Sequence, residues 1–379
     1  MNSNRNHLSP KCLNGAQVTL TDRVRVALSR DDLRLSETEF AALQAEIRER
    51  LANIYPQASR NFTAVLMAGS GATAVEAMIG SLVPKGGEAL VVANGSYGER
   101  MAAILRAQGN IAHVASAELT EPLNLEAAGR ILAENRGVTH VVAAHYETTT
   151  GRLNDLPTLG AICRRYGVAL LLDGVSSFGA EEIDFEGWNL EACAGAVDKC
   201  LHGAPGLSFV LARKRVIESG AIDFRHYAEQ SNGSTPSTIS ANVCYALAEA
   251  LRELEASGGW RARRQRYTSL SRRVFEGLRE QGVRPLLDIT QPLSSVVTAY
   301  RVPAGYDCAR LLDFLKSAGF VICVGQDEFD QEVFRIAVMG AIDSVDVARL
   351  LACFRQFWSR NTGKIQPARV TAIERASIC

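Results

Sequence analysis

The chain has no surplus of charge in either direction, no long apolar run and no paired cysteines. Its 41 basic residues balance 41 acidic ones, for a formal net charge of zero. That leaves no electrostatic footprint for nucleic acid or an anionic membrane surface. No apolar stretch approaches the roughly 20 residues of a membrane span, and the polar residues 1–10 contain no apolar signal core. The nine cysteines (Cys12, Cys163, Cys193, Cys200, Cys244, Cys308, Cys323, Cys353 and Cys379) form no CxxC pair. This argues against zinc and disulfide frameworks, and they read as free thiols in the reducing cytoplasm. His145 and His202 fall near the candidate site described below, but their spacing suggests no metal. No Gly-x-Ser-x-Gly elbow occurs at a suitable place, and no third glycine completes a dinucleotide fingerprint. Lysine is scarce as well: Lys11, Lys85, Lys199, Lys214, Lys316 and Lys364 are the only six, and arginine carries the rest of the positive charge.

At 379 residues and 47% hydrophobic content, the chain can bury a large core in two or three domains. From about Phe62 to Leu211, short apolar runs alternate with amphipathic stretches. Strands are expected at Thr63–Met67, Ala89–Ala93, Val138–Ala144, Ala169–Leu172 and Leu207–Ala212, with a further short apolar stretch at Ala192–Val197. Helices are expected at Ala74–Leu82, from Glu99 onward and at Leu156–Tyr166. Repeated strand–loop–helix units predict an α/β fold with a mostly parallel sheet covered on both faces. Two long helices follow, Asn242–Ser257 and Trp260–Gln281. Beyond Pro285 the alternation of Ser294–Val302 and Val333–Val338, with helices at Cys308–Gly319 and Asp343–Trp358, predicts a smaller α+β domain. The expected division is an N-terminal segment near the site over 1–20, a large domain over 21–260, a small domain over 261–360 and a loose tail over 361–379.

Ligands of such sheets collect at the carboxyl ends of the strands. Asp173 closes the run Val168-Ala169-Leu170-Leu171-Leu172, and Lys199 stands in a turn after a second apolar stretch. A carboxylate there suits a protonated pyridine nitrogen, and a lysine amine suits Schiff-base chemistry, the two demands of pyridoxal phosphate. Taken singly, Asp173 also reads as a cap of the next turn and Lys199 as a solvated turn lysine. Gly69-Ser70-Gly71-Ala72-Thr73 lies between a strand and a helix, where N–H groups and the helix dipole suit a phosphate. The same residues also suit an ordinary turn. Tyr97 is placed either to stack on a planar cofactor or to sit on a surface loop. Arg335, within Val333-Phe334-Arg335-Ile336-Ala337-Val338, reads either as a clamp for a carboxylate or as the solvent face of a half-buried strand.

In order, Gly69-Ser70-Gly71, Asn94-Gly95-Ser96-Tyr97-Gly98-Glu99-Arg100, Glu147-Thr148-Thr149-Thr150-Gly151, Asp173-Gly174-Val175-Ser176-Ser177-Phe178-Gly179, Asp198-Lys199-Cys200 and Phe334-Arg335-Ile336 resemble the class V aminotransferases of the fold-type I pyridoxal phosphate enzymes. The resemblance runs from about Asn61 to Trp358. It implies a large domain with a seven-stranded, mostly parallel sheet between helices and a smaller C-terminal domain. It implies Lys199 as the Schiff-base lysine, Asp173 as partner of the pyridine nitrogen and Tyr97 as the stacking ring. Ser70, Gly71 and Ala72 become the phosphate turn, and Thr148 lies near the phenolic oxygen. Val175 and Asp198 also border the cofactor, with Asp198 where the family carries an amide, and Arg335 holds the substrate carboxylate. A segment including Ser234 and Thr235 is implied to reach the phosphate of a neighbouring subunit, which makes the protein a homodimer with its site at the interface. The implied reaction moves an amino group from a small donor, 2-aminoethylphosphonate-like or a small amino acid, to a 2-oxo acid such as pyruvate. A lyase or desulfurase on the same fold and a non-catalytic member are the alternatives. No metal, nucleic acid or membrane partner is expected.

Overall fold

The computed structural model describes residues 10–30, 37–218, 239–325 and 329–361. Its strands are β1 (Lys11–Cys12), β2 (Phe62–Ala68), β3 (Glu88–Ala93), β4 (Ile111–Ser116), β5 (Val138–Ala144), β6 (Tyr146–Glu147), β7 (Arg152–Leu153), β8 (Ala169–Asp173), β9 (Leu190–Ala196), β10 (Leu207–Arg213), β11 (Val297–Arg301), β12 (Phe320–Val321), β13 (Cys323–Val324) and β14 (Val333–Ala337). Seven of them form the main sheet, in the order β2-β10-β9-β8-β5-β3-β4. Only β10 runs antiparallel to its neighbours β2 and β9; the other pairs are parallel.

Both faces of this sheet are covered, so its central strands are apolar along their whole length rather than alternating. Successive side chains still point to opposite faces. Leu170 and Leu172 join a core with Leu66, Val141 and Phe209, while Leu171 packs on the other face with Met67, Met78 and Val210. The helix Leu156–Tyr166 shows why the crossovers start and stop where they do. Asp155 caps it by accepting from Thr158 N at 3.1 Å, Pro157 fits its first turn, and Gly167 ends it at φ +69°. Edge strand β4, with Ile111 52% exposed, lacks the apolar signature of its neighbours and was not anticipated from the sequence. The helix expected from Glu99 begins earlier, at Ser96, because the carbonyl of Gly95 already accepts from Glu99 N at 3.2 Å. The helices Asp22–Leu28 and Glu37–Asn53 were likewise unread, and they pack on the helix Ala241–Ala256.

A second, three-stranded antiparallel sheet has the order β11-β14-β13. The helices Gly259–Arg279, Cys308–Ser317 and Ser344–Asn361 pack on it around Tyr267, Leu311, Phe334 and Phe354. The N-terminal segment belongs to this core. Strand β1 pairs in parallel with β12, and Ala337 N donates to Leu13 O at 2.8 Å. The described cysteines are all free, and among the described residues no helix is long and apolar enough to cross a membrane. The expected tail beyond Asn361 lies outside the described residues.

One buried carboxylate fastens the two sheets. Glu181 Oε1 accepts from Ser294 Oγ (3.1 Å), Ser295 N (2.6 Å) and Ser295 Oγ (2.9 Å), and Oε2 lies 3.1 Å from Arg264 Nε. Ser294 and Ser295 lead into β11 and Arg264 lies on the helix Gly259–Arg279, so this is a joint between layers. Removing the acceptor leaves several buried donors unpaired. Glu181→Ala is therefore expected to lower unfolding free energy by about 3 kcal/mol, read from urea denaturation midpoints, whereas a surface control such as Glu134→Ala should move it little.

Candidate active site

The strands β2, β3, β5, β8 and β9 all end at one edge of the main sheet, and the loops that leave them build the site. Asp173 is the last residue of β8, in register with Ala144 on one side and Ala194 on the other. Its Oδ1 accepts from Val175 N at 3.0 Å. Burial raises its carboxyl to about 6, against the opposing pull of that N–H and of Arg100. His145 follows β5. Its N–H donates to Asp173 O at 2.9 Å, Nδ1 lies 2.9 Å from Ser177 Oγ, and its ring meets Trp188 edge to face. Burial lowers His145 to about 3, so the ring is neutral at ordinary pH.

Lys199 stands in the turn after β9. Nζ donates to Gly15 O at 2.7 Å and to Ala16 O at 2.9 Å, so the N-terminal segment meets the amine directly. Burial lowers its proton affinity and Arg335 adds to that, while Asp198 and the thiols of Cys200 and Cys323 oppose it. Arg335 comes from β14. Its Nε donates to Val324 O at 3.2 Å and its Nη1 to Thr148 O at 3.4 Å. Tyr97, in the first turn of the helix Ser96–Ala107, is hydrogen-bonded to the Thr148 side chain, and burial raises its phenol.

These groups converge. A cleft of about 170 Å³ is lined by Tyr97, Thr148, Lys199 and Arg335, together with Asn14, Gly15, Ala16, Tyr146, Ser176, Val296, Val297, Cys323 and Met339. A second, much smaller hollow holds Asp173, His145 and Ser177, and shares Tyr97, Tyr146, Thr148 and Ser176 with the first. Larger surface hollows of about 480 and 520 Å³, one lined by Glu46, Arg50 and Trp260 and the other by Arg23, Val26 and Tyr245, contain none of the expected site residues. Chemistry rather than volume therefore selects the site.

Ser70, Gly71, Ala72 and Asp198 border neither of these two site hollows. Ser70 is the exposed N-cap of the helix Gly71–Leu82, and its side chain makes no capping bond, so the first N–H groups of the helix lack a side-chain cap. Gly71 is confined: a Cβ there would lie 2.4 Å from Val175 Cγ1 and 3.2 Å from Ala196 Cβ. Val175 thus packs on the helix start while its N–H holds Asp173. Ser234 and Thr235 lie outside the described residues. The residues of the cleft that the sequence reading did not name are chiefly Asn14–Ala16, within the N-terminal segment expected near the site, and Cys323 and Met339. Nothing in their local patterns marks them individually; pairing of β1 with β12 and of β13 with β14 carries the first residues and Cys323 there.

The profile of the aminotransferase class-V family matches residues 25–338 of the chain. The 2-aminoethylphosphonate–pyruvate transaminase of Bacillus mycoides (strain KBAB4) is 33% identical over 326 residues, covering 83% of this chain and 89% of that protein. The alanine–glyoxylate aminotransferase structure from Nostoc sp. superposes with a TM-score of 0.84 at 24% identity, covering 92% of this chain and 95% of that one. The ureidoglycine–glyoxylate aminotransferase structure from Bacillus subtilis superposes with a TM-score of 0.85 at 22% identity, covering 94% and 95% of the two chains. The structural likenesses carry the fold, the profile and the sequence identity carry descent, and on these grounds the chain belongs to the class-V aminotransferase family.

Proposed function

We propose that the protein is a pyridoxal-phosphate-dependent aminotransferase that moves an amino group from a small donor to a 2-oxo acid such as pyruvate. The observation that carries this reading is the convergence of Lys199 and Arg335 on one cleft that adjoins the hollow of Asp173. The residues present fit the cofactor. A helix start lacking a side-chain cap at Ser70, Gly71 and Ala72 offers N–H donors to a phosphate. The close approach of Val175 to Gly71 leaves no room for a side chain there. Asp173, a carboxylate whose ionisation is opposed by burial, suits a cationic ring nitrogen. Tyr97 supplies a flat wall. The expected contributions of Asp198, Ser234 and Thr235 belong to this same reading.

When bound, pyridoxal phosphate supplies an electron sink for the charge left when a proton is taken from the carbon bearing the amine. Asp173 holds a proton on the ring nitrogen, as Val175 N–H fixes its carboxylate in place. Lys199 takes and returns the proton at Nζ, and burial favours the neutral amine that a general base requires. Arg335 binds the substrate carboxylate, its guanidinium oriented by the carbonyls of Val324 and Thr148. The donor is a 2-aminoethylphosphonate-like amine or a small amino acid. The same family reading supports a homodimer with its site at the subunit interface, working in the cytoplasm.

Borohydride treatment of the protein with added pyridoxal phosphate is expected to fix the cofactor on Lys199, detected by peptide mass spectrometry. Lys199→Ala should lower turnover by at least about 10³-fold, and an unmodified Lys199 peptide in the wild-type protein would remove the reading. Arg335→Ala should raise KM for pyruvate by about 100-fold with a smaller effect on kcat, and Arg335→Lys should recover only part of it.

Asp173 makes a pH-dependent prediction in the cofactor-free protein. Its folded pKa, about 6, lies above the ordinary 3.8, so the folded state binds more protons between those values and stability falls as pH rises through them. Asp173→Asn removes that penalty. The variant should gain on the order of 2 kcal/mol at pH 8 and nothing below about pH 4 in paired urea melts, while losing cofactor affinity and activity. A variant less stable than wild type at pH 8 would show that burial is not what opposes the charge.

A further inference from the structure

We propose that Cys323 sets the width of the pocket beside Arg335 and so selects 2-oxo acids and amino acids with small side chains. The inference rests on the transaminase reading of the cleft and goes beyond it by assigning specificity to one side chain.

The placement follows from strand pairing. Cys323 of β13 and Arg335 of β14 are register partners in an antiparallel ladder. Such partners project to the same face with Cβ atoms about 5 Å apart, and both line the cleft. On the other flank of Arg335 the register partner is Ala299, a small buried residue. The guanidinium is tied to the carbonyls of Val324 and Thr148, so its neighbours fix the space around it. The Cys323 thiol donates to Asn14 O at 2.6 Å, which pins it between β13 and the N-terminal segment. Burial raises this thiol above its ordinary range, with Arg335 and Lys199 pulling the other way. The thiol also hydrogen-bonds the Arg335 side chain, which places it against the group that would hold the carboxylate. With Val297 and Met339 nearby, it presents a compact, weakly polar wall to whatever the substrate carries next to its carboxylate.

The test compares holoenzymes of wild type, Cys323→Ser, Cys323→Ala and Cys323→Leu with pyruvate and 2-oxobutyrate as acceptors. Cys323→Ala should shift the ratio of kcat/KM by about 10-fold toward 2-oxobutyrate, mostly through KM, as one methylene of pocket space implies. Cys323→Leu should raise KM for pyruvate by about 10-fold or more, and Cys323→Ser, of nearly the same size, should stay within about twofold of wild type. The absorption of the bound cofactor should be the same in all four. Pyruvate should also slow N-ethylmaleimide labelling of Cys323, followed by mass spectrometry. An unchanged acceptor ratio in the Ala variant with normal cofactor absorption, or labelling indifferent to pyruvate, overturns the proposal and leaves the transaminase reading standing. A wild-type protein that aminates no 2-oxo acid takes both down together.

Discussion

The site is organised around a single unfavourable placement, a carboxylate at the end of a strand whose preceding three residues are fully buried leucines. Asp173, half-buried, ends the strand that lies between β5 and β9 in the main sheet, where its carboxylate is poorly solvated. Its side chain gains one backbone hydrogen bond, from Val175, and some attraction from Arg100, yet burial dominates and keeps the carboxyl partly protonated near neutral pH. A poorly solvated carboxylate keeps its charge more readily when a cation sits against it. The surrounding architecture serves that end: Gly71 lets Val175 approach the helix start, and the His145 N–H fixes the Asp173 carbonyl at 2.9 Å.

The sequence made the sheet legible where both faces are buried, because Leu170, Leu171 and Leu172 or Phe209, Val210 and Leu211 leave no other reading. It was poorly legible at the margins. Strand β4 is an edge strand with partly exposed residues, so it lacks the apolar signal of its neighbours. The helix Glu37–Asn53 exposes alanine and polar residues such as Ala42, Ala45 and Glu49, and its core-facing Leu43, Ile47 and Leu51 form a stripe too narrow to stand out. The site divides the same way. Residues at strand ends, such as Asp173, or in the turn after a strand, such as Lys199, could be placed because strand ends in an α/β sheet share one edge. Residues 14–16 lie in the segment expected near the site but were not singled out, because their exact place depends on β1 pairing with the sequence-distant β12, and Cys323 was not singled out because a two-residue strand beside β14 carries too little pattern to read.

The cleft is thus built from two sides with different physics. The main sheet supplies one side: Asp173, in the adjoining hollow, is fixed by strand register, Lys199 is carried by the turn after β9, and burial shifts the pKa of both. The N-terminal segment and the second sheet supply the other side, held by β1–β12 pairing, by Leu13 O accepting from Ala337 N, and by the Cys323 thiol on Asn14 O. His202 joins the two: it follows the Lys199 turn at φ +64°, and its Nε2 accepts from Gly340 N at 2.9 Å and is paired with the Tyr267 hydroxyl. Burial keeps that ring neutral, so the joint does not change charge across the ordinary pH range.

Lys199 is where the two sides act on the same atom. Two carbonyls of the N-terminal segment accept from Nζ and favour the ammonium, and Asp198 pulls in the same direction. Burial, the largest influence, and Arg335 favour the neutral amine. Because burial wins, the amine loses its proton more readily than a solvated lysine, while the carbonyls still fix where Nζ points. A base needs both properties, and they conflict in a solvated turn, where the hydrogen bonds that orient an amine also stabilise its charge. Placing the lysine under a strand-anchored segment resolves the conflict, since orientation comes from backbone atoms that carry no net charge.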